Sequence, residues 1–147
     1  MEHLDHPSFD IWEERRLWFE SLNDETSGEG SYLVSEQAYA LIAEVQSTFC
    51  AGAWVAVIIL ALAVVDAQLR ETEASNFKGN TKELLETVGA DPKLQSLRLR
   101  RNSLVHVNPD NPAITVDQQW ANRKELEAEA RQAVQLMLEA FYLNPGV

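Results

Sequence analysis

At 147 residues the chain has room for one domain with one principal core, and its 46% hydrophobic content excludes wholesale disorder. A formal net charge of -11 excludes a broad nucleic-acid-binding surface, which carries a basic excess, and restricts any RNA contact to a local patch. The lone cysteine, Cys50, excludes an intrachain disulfide and, lying in an apolar run, reads as a small buried hydrophobe in a reducing cytoplasm.

Residues 1–10 contain Glu2, Asp5 and Asp10 and no Lys or Arg, so no basic-then-apolar leader is expected. A first helix is predicted over 8–23, with Ser8 as its cap and Asp10, Glu13 and Glu14 at its positive end. Ile11, Trp12, Trp18, Phe19 and Leu22 give it an apolar side, interrupted by Arg15 and Arg16. The polar stretch 25–31, with Gly28 and Gly30, reads as a linker. Residues 1–30 are therefore expected to form an amino-terminal helix and linker added to a bundle spanning 31–147.

Over 35–73 no proline interrupts a helix-compatible pattern. A single rod of that length would reach about 60 Å, too long for a domain of this size, so a break is predicted at Cys50-Ala51-Gly52. Before it, Tyr39, Ile42, Ala43, Phe49 and Cys50 share a stripe. The uncharged run 49–65 falls short of the roughly 20 apolar residues of a membrane span, and its flanks, Glu44 and Asp66, are acidic where topology favours bases. It reads as a buried central helix, with no membrane role.

Residues 74–80 read as a turn, and 82–88 as a short helix stopped by Gly89. Pro92 suits the first turn of the next helix, predicted to run through Leu94, Leu97, Leu104 and Val105 to about 107 before the Asn- and Pro-rich stretch 108–112. Asp117 is the expected cap of the last helix, where Leu126, Ala130, Ala133, Val134, Met137, Leu138 and Phe141 keep an i, i+3, i+4, i+7 stripe until Asn144-Pro145-Gly146. Neither repeats nor alternating strand patterns occur. The fold class is all-α: an up-and-down bundle of four to five helices.

The segment carrying chemistry is Arg101-Asn102-Ser103-Leu104-Val105-His106. Arginine holds phosphate through a planar fork of donors, and histidine moves a proton near neutral pH. Asn102 and His106, four apart, share a side if the helix continues through both. Arg101 and His106 would then lie about 140° apart, so groups from two chains meet more easily than groups within one. Lys93, Arg98, Arg100 and Arg101 form a basic cluster with no acid between Asp91 and Asp110, and Arg100 fits the spacing as a second choice. Against catalysis stand a core or boundary histidine and a solvated charged face. Asp66, ending the apolar run, either holds Arg101, orients His106, or stands in water at a helix end. His3 and His6 lack a third ligand, so no metal and no cofactor are expected. Trp12, Trp18, Trp54 and Trp120 read as core or interface rather than base-stacking platforms.

A helical chain of this length with Arg101-Asn102 and then His106 on a late helix, followed by one long helix, resembles the HEPN superfamily, the higher eukaryote and prokaryote nucleotide-binding domains. That family's motif is Arg, four to six residues, then His, often with a polar residue directly after the arginine. Glu36-Gln37-Ala38-Tyr39, Ala51-Gly52-Ala53-Trp54 and Ala67-Gln68-Leu69-Arg70-Glu71 are similar to the leading helices of its uncharacterised prokaryotic branch. The resemblance spans residues 32–142. It implies a homodimer with two motifs meeting across the interface, and metal-independent RNA cleavage of the toxin or defence kind, with an antitoxin or other protein as partner. Arg101, Asn102 and His106 would be catalytic, with Arg100, Asp66 and Arg98 in support. The alternative is a catalytically silent helical dimerisation or protein-interaction module.

Overall fold

The computed structural model describes residues 5–146. Most of its helices start where a side chain replaces a missing backbone partner. Ser8 Oγ accepts from the Ile11 amide at 3.2 Å and opens α1, Phe9–Ser27. This helix continues past 23 into the stretch predicted as linker, because Glu25, Thr26 and Ser27 contain no breaker and the Thr26 hydroxyl bonds back to the Leu22 carbonyl. Gly28, at φ 54°, ends it. Ser35 caps α2, Glu36–Ala51, which stops at Gly52 in the left-handed region, φ 78°. The break predicted at 50–52 is therefore real, and α3, Trp54–Thr72, begins directly after it. Asn80 caps α4, Thr81–Thr87, and Asp91 caps α5, Pro92–Val105.

The final helical region departs from expectation. Its cap is Thr115 rather than Asp117: Thr115 and Gln118 satisfy each other's backbone amides reciprocally and open α6, Val116–Ala121. A break at Asn122 separates α6 from α7, Arg123–Phe141. Arg123 donates to the Gly52 carbonyl, pinning the start of α7 to the α2–α3 corner.

Among the described residues, five helices of fourteen residues or more (α1, α2, α3, α5 and α7) make an all-α bundle with two short ones. The β structure among the described residues is one antiparallel pair between β1, Ser31–Tyr32, and β2, Pro145–Gly146. Helix α3 is central: Val57, Ile58, Ala61, Leu62, Val64, Val65 and Leu69 are all buried, and α2, α4, α5 and α7 pack around it. Helix α1 lies along α2 and α7, with Phe19 in the core and Trp18 stacked on Phe49 at 4.9 Å. The run 49–65 is divided by the corner at Gly52, and among the described residues no helix is long and apolar enough to cross a membrane.

Candidate functional site

Leu94 and Leu97 bury one face of α5, and the helix packs against α3, α4 and α7. Its remaining faces carry the arginines, and neighbours sort them into different roles. Arg98 donates to Gln95 Oε1 at 2.8 Å on its own helix. Arg100 is occupied: its Nε and Nη2 reach the Glu129 carboxylate of α7 at 2.8 and 3.2 Å, and Nη1 donates to the Ala113 carbonyl at 3.2 Å. It ties α5 to α7 and to the loop after the motif. Arg101 forms no ion pair among the described residues, and its Nε donates to Asn102 Oδ1 at 2.9 Å.

The helix ends earlier than predicted, at Val105 rather than about 107. His106 occupies the C-cap with extended backbone, φ -116° and ψ 117°, while its amide still bonds to the Asn102 carbonyl at 2.9 Å. The helical angle of 140° between Arg101 and His106 therefore does not apply. The Asn102 amide, expected beside His106, instead steadies Arg101, while its backbone holds His106. The imidazole is solvent-exposed, not a core histidine.

Asp66 turns to neither motif residue. Its carboxylate accepts from Arg70 Nε and Nη2 at 3.1 and 2.9 Å and from the Thr81 hydroxyl at 2.8 Å. Burial raises the Asp66 pKa, but hydrogen bonds from Arg70 and Thr81, with the charges of Arg70 and Arg101, outweigh it and hold the carboxyl below its ordinary value. Asp66, Arg70, Thr81 and Arg101 line a cleft of about 440 Å³ with Gln37 and Glu71. His106 is not among its lining residues. The i, i+4 spacing of Asp66 and Arg70 signals their pairing in the sequence; nothing local signals Thr81, which arrives from α4.

Two of the four tryptophans, Trp54 and Trp18, pack in or against the core. Trp54 is buried beneath the guanidinium groups of Arg15 and Arg123, whose carbons stand 4.7 and 5.8 Å from its ring. Trp18 stacks on Phe49, and the Arg131 guanidinium lies over both rings at 4.5 and 5.2 Å, while Trp12 is half-buried and Trp120 exposed. His3 is outside the described residues, and His6 is exposed beside Pro7. Among the described residues no group of three or more His, Cys, Asp or Glu is placed to hold a metal ion.

One chain thus offers a guanidinium without a close ion pair among the described residues and, where the same helix ends, an exposed imidazole. The first can stabilise charge on a phosphoryl oxygen, and the second can move a proton. No protein-family model, curated protein or solved structure matches this chain.

Proposed function

We propose that this chain is a metal-independent endoribonuclease of the HEPN kind, active as a homodimer in which the Arg101–His106 segments of two copies face each other. The observation that carries the reading is the sorting of the arginines. Arg70 and Arg100 are committed to Asp66 and Glu129, whereas Arg101 forms no ion pair among the described residues and stands on the helix that ends at an exposed His106.

The chemistry asks little more of the protein. A neutral imidazole takes the proton of a ribose 2′-hydroxyl, the freed oxygen attacks phosphorus, and the bond to the 5′ oxygen breaks. The histidine of the second copy, protonated, returns a proton to that leaving oxygen. Arg101 balances the charge growing on the non-bridging oxygens, and Asn102 holds its guanidinium in place. The products are a 2′,3′-cyclic phosphate and a 5′-hydroxyl. An overall charge of -11 opposes nonspecific RNA binding and a large RNA footprint, so any contact is confined to this patch; the biological role in this reading is that of a toxin or defence component with a partner protein.

Purified protein in chelator should cut RNA, leaving cyclic phosphate ends. His106→Ala should lower the rate by roughly 10²- to 10⁴-fold with the fold intact. Cleavage by that variant at the wild-type rate would remove His106 from the mechanism. A second reading, a catalytically silent dimerisation module, is favoured by Val105 and Val107, which flank His106 and are 44% and 87% exposed. It predicts a dimer that leaves RNA uncut and is weakened by Val107→Asp.

A further inference from the structure

The cleft beside Arg101 holds two kinds of polar group. Asp66, Arg70 and Thr81 saturate one another: both Asp66 oxygens are bonded, and Arg70 Nη1 donates to the Gly79 carbonyl at 2.8 Å. They form a fixed wall of nearly balanced charge. Leu62, Ala63 and Ala67 add an apolar side, with the two alanines one turn apart on α3 leaving room for a flat group. The remaining polar groups are Arg101, whose Nε is held by Asn102 but which forms no ion pair among the described residues, and Gln37 and Glu71, which are exposed and make no side-chain hydrogen bond among the described residues. A cation paired with an acceptor-only carboxylate selects a ligand that is anionic at one end and carries N–H donors at the other. A volume of about 440 Å³ suits a ligand of nucleotide size.

We infer that this cleft is a base-recognition subsite: it receives the nucleobase next to the phosphate held by Arg101, and Glu71 with Gln37 favours bases bearing an exocyclic amine over uracil. This rests on the ribonuclease reading for the cleavage of that phosphate, and adds the identity of the neighbouring base. A carboxylate accepts from the amino group of cytosine, whereas the uracil O4 at the equivalent position opposes acceptor to acceptor. Ala63 and Ala67 accommodate the ring face.

The test is an amide NMR titration of the full chain with cytidine 3′-monophosphate, uridine 3′-monophosphate and inorganic phosphate, alongside cleavage of RNA oligonucleotides differing at one base. Cytidine monophosphate should shift the amides of Gln37, Ala63, Ala67, Glu71 and Arg101, with uridine monophosphate binding about tenfold more weakly, the worth of one well-made hydrogen bond to a charged group. Glu71→Ala should bring the two nucleotides within about twofold of each other, as expected when that single bond is removed. Ala67→Leu should block both; if that variant melts early, Gln37→Trp at the exposed rim serves the same purpose. Equal affinities in wild type, shifts outside the cleft, discrimination surviving Glu71→Ala, or phosphate alone reproducing the nucleotide shifts would each overturn the proposal. Nucleotides bound in this pattern by a protein that cuts no RNA would keep the subsite and refute the nuclease. RNA cut without base-dependent shifts in the cleft would do the reverse.

Discussion

Gln68 is a polar side chain inside the central helix, 3% exposed, and the fold depends on what it holds. Its Oε1 accepts from the amide of Ser35, itself fully buried, at 2.8 Å. Its Nε2 donates to the Leu33 carbonyl at 3.0 Å and the Phe141 carbonyl at 3.4 Å. One amide thus joins the approach to α2 and the end of α7 to α3. Gln68→Leu keeps the bulk and removes every one of these bonds. The Ser35 amide is left buried without that partner, at a cost of about 1–3 kcal/mol. The Phe141 carbonyl, at a helix end with no intrahelical partner, adds about 1 kcal/mol, whereas the Leu33 carbonyl belongs to an exposed residue and can turn to water. The sum is about 2–4 kcal/mol, a large share of a typical stability of about 5–15 kcal/mol. At about 2–4 °C per kcal/mol for a chain of this size, the melting temperature should fall by roughly 5–15 °C. Urea unfolding should show a lower midpoint with unchanged slope. A loss below about 0.5 kcal/mol, the range of an ordinary surface substitution, would refute the reasoning.

Phe49→Ala should cost about 3–5 kcal/mol in urea unfolding, since it empties a fully buried site between Trp18, at 4.9 Å, and Trp54, at 5.4 Å. Gly52→Ala should cost about 1–2 kcal/mol, read as a lower midpoint: φ is 78°, and the new Cβ would lie 3.0 Å from the Arg15 guanidinium. Asp66 has a folded pKa below its unfolded one, so its contribution is present above the unfolded value, about pH 4, and is lost as pH falls through the folded value. The stability advantage of wild type over Asp66→Asn should accordingly shrink on acidification below about pH 5, and parallel pH profiles would contradict that assignment. His106→Ala should leave the melting curve within about 0.5 kcal/mol of wild type, because the ring is exposed and makes no side-chain hydrogen bond among the described residues.

The elements legible in the sequence are those decided within a turn or two of chain. Ser8 and Ser35 cap α1 and α2, Pro92 opens α5, Gly52 breaks the long apolar segment, and the stripe from Leu126 to Phe141 identifies α7. These depend on backbone geometry and on spacings of three or four residues, which the chain carries locally. Thr115 was legible by the same logic, since Gln118 three residues later completes a capping box, and the prediction placed the start at Asp117 instead.

The candidate site was only partly legible. Arg100 and Arg101 are chemically identical neighbours, and both fit the motif spacing to His106, so spacing does not separate them. Glu129, 29 residues onward, and the Ala113 carbonyl consume Arg100, whereas Arg101 bonds only to its neighbour Asn102 among the described residues. The Asp66–Arg70 pair lay within reach of an i, i+4 reading, but Thr81 joins it only because α4 folds back on α3. The division of α6 from α7 coincides with an anchor 71 residues away, where Arg123 meets Gly52. Composition and local pattern therefore determined that the chain is helical and where most helices begin and end. Tertiary packing decided which charges were neutralised and which stayed available, because a side chain's partner depends on the elements brought beside it by burial of their apolar faces.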